Sequence, residues 1–304
     1  MSAPRPTAAD PLGYDFEERH VELDGIDVVY VDEGRDRPGL PMLLVHGLGA
    51  TLDHWALAIP KLAKQRRVLA LDLPGFGRSA KPERAWGPAA YGDVLRRFLD
   101  HHRLERVLLA GHSMGGAVCA ELALTDPARV HRLVLVDAAG MTVMPTRLLD
   151  YLVERFEARI DPRKITLPPR LVRAMVKLVF FDPVPFAERN VGRILSSMSE
   201  ADWPARVRSF VRAATGLSRS QVRARLAEIR IPTLIVWGER DRILPVRHGR
   251  ALHEGIAGSK LRVFPRCGHC PQIERADDFC ETVESWLAQV GDGGDGGEGG
   301  EVGT

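Results

Sequence analysis

A chain of 304 residues, 45% hydrophobic and 27% charged with a formal net charge of +2, can bury a large core without metals or disulfides. That balance lacks the global basic excess a nucleic-acid partner demands, so no nucleic acid is expected. Cys119, Cys267, Cys270 and Cys280 are too few for a disulfide framework, and no leader-like apolar region or run of about 18 apolar residues occurs, so a cytoplasmic protein is expected.

Residues 1–19 read as a flexible start. HVEL at 20–23 and IDVVYVDEG at 26–34 flank Asp24-Gly25, a turn pair suited to a two-residue hairpin, so the sheet is predicted to open antiparallel. From Pro41 apolar strands alternate with helices: MLLVHG (42–47), a helix around 53–64, RVLALD (67–72), a helix around 89–102, RVLLAGHS (106–113) and a helix over 114–125. RLVLVD (132–137) follows, and later TLIVWG (233–238), a helix at 246–256, KLRVFP (260–265) and an amphipathic helix near 276–289. Continuous Val/Leu runs fit strands covered on both faces, hence a mostly parallel, doubly wound α/β sheet with its site at the carboxyl ends of the strands.

The rhythm breaks over 141–217, where 13 Lys and Arg stand against 8 Asp and Glu, a local net of +5. This segment is expected to be an inserted helical cap between two parts of one core, residues 20–140 and 218–290. Leu148, Leu149, Leu152 and Phe156 form one helically spaced apolar set. Leu171, Met175, Leu178 and Val179 with Phe180 and Phe181 form a second, expected mostly as packed faces. The Gly-rich, acidic residues 291–304 lack the apolar groups to offset ordering entropy and are expected to be disordered.

Gly111-His112-Ser113-Met114-Gly115 joins a strand to a helix, the context that a G-x-S-x-G nucleophile elbow requires. Gly111 and Gly115 relieve clashes around a strained Ser113, and the helix N-terminus directs N–H groups at the place where negative oxygen forms. A serine hydroxyl needs a base, and His269 lies just past the last strand. His46 is expected to hold the loop His46-Gly47-Leu48-Gly49, and the His112 side chain to point elsewhere. The base needs a carboxylate to set its tautomer: Asp241 lies 28 residues before His269, while Glu239 and Asp137 remain open alternatives, Asp137 also suiting a loop-capping role. Two oxyanion donors are expected from the amides of Met114 and Leu48, with Gly47 and Gly49 allowing close approach and both side chains free to line a pocket. The turn from Asp72 to Ser79 lacks the G-K-[ST] ending of a phosphate loop and is expected to be a turn with Asp72 bonded to backbone or Arg78. Cys267-Gly-His-Cys270 has no second pair to complete a structural metal site, so no metal is expected there.

LLVHGLGATLDHW, LDLPGFGRS, GHSMGG, LVLVDAAG, WGERDRILP and CGHCPQIE together make residues 20–290 resemble the α/β-hydrolase superfamily. The resemblance implies an eight-stranded sheet with a helical cap, and ping-pong acyl transfer through Ser113, His269 and Asp241 without cofactors. Esterases with a cap, monoacylglycerol-lipase-like enzymes and carbon–carbon hydrolases of aromatic ring degradation look most similar. The carbon–carbon hydrolases commonly carry Asn before the serine and Trp after the histidine, where this chain has His112 and Cys270. A small lipophilic ester is the expected substrate, with a dienoic keto acid or a non-catalytic binding role as rivals. Arg170, Arg173 and Lys177 beside apolar residues would also suit contact with anionic lipid.

Overall fold

The computed structural model describes residues 16–140, 165–182 and 185–289. The terminal segments expected to be flexible and the apolar set from Leu148 to Phe156 lie outside the described residues, apart from the few positions just before β1.

β1 (Arg19–Leu23) and β2 (Ile26–Glu33) form the antiparallel hairpin the sequence predicts. Leu23 faces Ile26, and Asp24 and Gly25 take φ of 50° and 76°, the left-handed pair such a turn needs. β2 runs antiparallel to β4 (Val68–Leu71), while β4, β3 (Met42–Val45), β5 (Val107–His112), β6 (Val130–Val136), β7 (Thr233–Gly238) and β8 (Lys260–Phe264) are mutually parallel. The sheet order is β1-β2-β4-β3-β5-β6-β7-β8.

The period of two divides the strand side chains between two cores. Leu43, Val45, Leu69, Leu71, Val107 and Leu109 enter one, and Met42, Leu44, Val68, Ala70, Leu108 and Ala110 enter the other. α2 (Pro88–His101) and α3 (Met114–Thr125) cover the first face, while α1 (Ile59–Leu62) and a C-terminal helix over 276–289 cover the second. The helix predicted over 53–64 is instead a 3₁₀ turn, Leu52–Trp55, followed by the four-residue α1. Pro60 has no N–H to continue a helical ladder through that stretch.

The described part of the insertion holds three helices, α4 (Pro169–Val179), α5 (Pro185–Ser197) and α6 (Trp203–Ser218). Val172, Val176 and Phe180 pack with Ala187 and Val191 against Cys270 and Ile273 of the core, a third apolar cluster. The expectation that Leu171, Met175 and Leu178 are packed is corrected: they are 45%, 48% and 49% exposed. The apolar arc of α4 covers about half the helix circumference, roughly 180° or more, and its neighbours cover only the side that carries Val172 and Val176. Beyond β7 lie α7 (Arg247–Gly255), the one-turn α8 (Pro271–Glu274) and α9 (Ala276–Gln289).

The order in which successive parallel strands are added reverses between β3 and β5, the switch point at which the loops at their carboxyl ends diverge. α3 presses against the end of β3 at that point. A Cβ on Gly115 would come within 2.3 Å of the Val45 carbonyl oxygen and 2.5 Å of that of His46, and one on Gly111 within 2.3 Å of the Gly115 carbonyl oxygen. The obstacles are backbone and cannot swing aside. Gly115→Ala should therefore lose about 3 kcal/mol, the upper end of ordinary overpacking costs, read from urea unfolding midpoints at unchanged m-value.

Candidate active site

Ser113 sits between β5 and α3 with φ 53° and ψ −119°, a left-handed backbone that a residue with a Cβ adopts only when its surroundings impose it. The imposing contacts are visible. The Ser113 amide donates to the Val136 carbonyl at 2.9 Å, and its own carbonyl accepts from Gly116 and Ala139, both at 2.9 Å. The residue is partly exposed, while His112 before it and Met114 after it are buried.

Gly47 lies directly against the elbow: a Cβ there would be 2.9 Å from the Ser113 Cβ. Gly49 turns the same loop with φ of 69°. His46 holds it from beneath, its Nδ1 donating to the Gly47 carbonyl at 2.7 Å and its Nε2 accepting the Leu73 amide at 2.9 Å. Burial lowers the pKa of this ring, so the neutral tautomer implied by those two bonds persists. Asp72 ties the neighbouring turn down by accepting the amides of Leu52 at 2.7 Å and Arg78 at 2.8 Å. Among the described residues no backbone carbonyl takes the amide of Leu48 or Met114. The Met114 side chain is 1% exposed and packs in the main core, and Leu48 packs at its edge, so the Met114 side chain does not have the freedom expected of it.

The loops after β7 and β8 are laced together by Glu239 N to Phe264 O and Arg240 N to Cys267 O, both at 2.9 Å. This brings Asp241 to His269, whose Nδ1 meets Asp241 Oδ2 at 2.6 Å. Asp241 Oδ1 accepts the amides of Ile243 and Leu244 at 2.7 and 2.9 Å. Burial alone would raise the Asp241 carboxyl, but the His269 hydrogen bond and charge and the Leu244 amide outweigh it and hold it below the usual aspartate range. Glu239, by contrast, is exposed and pairs with Arg240. Asp137 is fully buried, accepts the Gly238 amide at 3.0 Å and lies within the same cluster as Asp241 and His269.

Two groups without a local sequence signature fix the histidine loop. The His112 side chain turns to the histidine loop: its Nε2 donates to the His269 carbonyl at 2.7 Å, with the two rings 4.9 Å apart. Burial, reinforced by the nearby His269, pushes the His112 pKa down to about 3, so the brace is a neutral ring at any ordinary pH. Glu274 accepts the amides of Gly268 at 2.9 Å and Phe181 at 2.7 Å, and the His269 amide donates to the Val179 carbonyl at 2.7 Å. The end of α4 is thereby hydrogen-bonded to the histidine loop. On the opposite flank Arg193 of α5 holds Asp53 at 2.6 Å and Thr51 at 2.9 Å, beyond the Gly47–Gly49 loop. Glu274 sits three residues beyond Pro271 in a short helix, and nothing in local sequence spacing marks its partners.

His54, His112 and Cys270 also converge, all buried. His112 Nε2 is committed to the His269 carbonyl, and burial holds the Cys270 thiol well above its usual pKa. A cation bound through the Cys270 thiolate would have to ionise that thiol.

Residues 42–282 match the model of the alpha/beta hydrolase family, and the chain belongs to that family. It is 33% identical to the 2-hydroxy-6-oxo-2,4-heptadienoate hydrolase of Pseudomonas putida, covering 89% of this chain and 96% of that one. It is 31% identical to the 2-hydroxymuconate semialdehyde hydrolase of Pseudomonas sp. CF600, covering 89% and 94%. Among solved structures it is similar to a membrane phospholipase A described as a bacterial virulence factor, at 27% identity and a TM-score of 0.73 over 90% of this chain and 86% of that one. The chain is a hydrolase of this family.

The His112 brace generates two linked expectations. His112→Ala should lower kcat/KM by about 10–100-fold through displacement of His269, while His112→Gln, which retains a donor, should lose far less. The folded pKa of about 3 lies below the unfolded value of 6.5, so acidification protonates the unfolded chain first. Stability therefore falls from this ring between about pH 6.5 and 3, by up to ~1.4 kcal/mol per unit, and unfolding measured against pH should show a shallower acid slope in His112→Gln.

Proposed function

We propose that the chain is a serine hydrolase that cleaves carboxylic esters of lipophilic small molecules through an acyl-enzyme. The observation that carries this is the 2.6 Å bond from His269 to Asp241 at the strand ends where Ser113 occupies a strained elbow. Ser113 Oγ attacks the ester carbonyl as His269 Nε2 takes its proton, and Asp241 stabilises the resulting imidazolium. The Leu48 and Met114 amides receive the oxyanion. His269 then protonates the leaving alcohol, and water, deprotonated by the same nitrogen, releases the acid and restores Ser113.

A second reading, hydrolysis of a carbon–carbon bond in a dienoic keto acid, is favoured by the 31–33% identity to the two Pseudomonas enzymes. The same nucleophile would attack a ketone carbonyl there. Against it stand His112 and Cys270, which depart from the pattern this chain otherwise resembles and which touch one another at 3.8 Å. Two coordinated departures in contact, one bracing the catalytic loop, support a pocket tuned for another acyl substrate.

The decisive experiment is a series of p-nitrophenyl esters of increasing chain length run beside 2-hydroxy-6-oxo-2,4-heptadienoate. Ester turnover should exceed dienoate turnover, Ser113→Ala should lose at least ~10⁴ in kcat, and a fluorophosphonate should label Ser113. Preferential turnover of the dienoate would replace the ester reading, and absence of both turnover and adduct would defeat the enzyme reading.

A further inference from the structure

Asp137 closes β6 beside β7, with its amide bonded to the Val236 carbonyl at 3.0 Å and its backbone at a φ of 40°. Oδ1 accepts the Gly238 amide, and Oδ2 has no hydrogen-bond donor among the described residues. The side chain is wholly buried, and an oxygen of it lies with an Asp241 oxygen and a His269 nitrogen in a group whose members are all within 4.8 Å of one another. Two buried carboxylates so placed disfavour each other's ionisation. Donor supply decides which one is ionised: Asp241 receives His269 and the amides of Ile243 and Leu244, whereas Asp137 receives one amide. The charge belongs to Asp241 and the proton to Asp137. A buried O–H needs an acceptor, and the facing Asp241 carboxylate supplies it.

We propose that Asp137 is a positioning residue of this site, a neutral carboxylic acid whose O–H donates to Asp241 and holds that carboxylate in line with His269. Desolvation first, and the charge of Asp241 second, push its pKa well above the aspartate range. The other ionisable groups that face it sharpen the effect: Glu274 from α8 adds negative field, and Cys267 and Cys270 beside His269 stay neutral. Asp137 thus plays two parts. In the intact protein it spreads the charge of Asp241 and lowers the basicity that Asp241 imposes on His269. In the Asp241→Asn variant the like charge disappears and Asp137 ionises. The negative charge then remains within the same cluster, on the carboxylate neighbouring the histidine.

The inference rests on the assignment of Asp241 and His269 as the acid–base pair, and its test separates from the question of substrate. Infrared difference spectra of the whole chain at pH 7 should show a neutral carboxylic-acid C=O band that disappears in Asp137→Asn, whatever the substrate proves to be. With a turned-over substrate, Asp137→Asn, which still donates a hydrogen bond, should stay within about 5-fold of wild type. Asp137→Ala should lose about 10-fold or more and move the acid limb of the kcat/KM profile to higher pH, a shift that a purely structural defect would not produce. Asp241→Asn should fall by ~10²–10³, short of the ~10⁴ typical of a lost triad acid, and the double variant Asp137→Asn/Asp241→Asn should reach that full loss. If Asp137→Ala fails to fold, the infrared band and the double variant still decide. Loss of no carboxylic-acid band in Asp137→Asn, or equal activities in the single Asp241→Asn and the double variant, would overturn the proposal.

Discussion

Helix α3 is pressed onto the end of β3 so closely that Gly115 lies under the carbonyls of Val45 and His46, and Ser113 is forced into a left-handed backbone above that contact. Such strain costs of the order of 1–3 kcal/mol and persists only where surrounding structure holds it. Here it is held by the burial of Met114, Ala117, Val118 and Leu122 in the main core and by the bonds from Ser113 to Val136 and Ala139. Gly47 lies directly against the serine at the same place. The backbone of Ser113 and the loop packed against it are thus held by one packing contact.

Around that elbow, burial controls protonation. His46, His54 and His112 are each driven toward the neutral form chiefly by desolvation. A neutral imidazole carries one donor and one acceptor, and His46 spends both on backbone to hold the Gly47 loop. His112 uses its donor on the carbonyl of His269. The hydrogen bonds of Asp241 hold its carboxyl below the usual range, against Asp137 and Glu274, both raised by burial. Field at the site is thus concentrated on the carboxylate that touches the histidine, in surroundings that amplify it by excluding water.

What could be read in the sequence follows from range. The hairpin at Asp24-Gly25, the two-faced strands from Met42 onward and the elbow are written in periods of two and in residues four or five apart, and the structure reproduces them. Asp241 and His269 are legible because each follows a strand directly. The His112–His269 brace spans 157 positions and the Glu274–Phe181 bond 93, and no local pattern encodes either. Asp137 is legible as a strand-end acid but not as the neighbour of Asp241, because the parallel register of β6 and β7 decides that. The exposed arc of α4 escapes for a related reason: periodicity identifies apolar residues but says nothing of which neighbour covers them, and Val172, Val176 and the following Phe180, with the partly buried Val179, are the ones that pack toward the core.

These long-range contacts have a functional logic. The elbow is built from segments that the main cores immobilise, while the Gly47–Gly49 loop also meets the insertion through Phe210 of α6 and, beyond it, Arg193 of α5. The histidine loop is different. Its position depends on the His112 ring within the core and on Val179 and Phe181 at the end of α4, through His269 N and Glu274. Any ligand that displaces α4 must therefore strain the bonds that hold His269. In the proposed reaction, selectivity arising in the insertion would be transmitted chiefly to proton transfer by His269. Under the proposed reaction, that division would let one α/β framework keep its serine elbow constant while helices beyond the sheet tune which carbonyl compound is turned over.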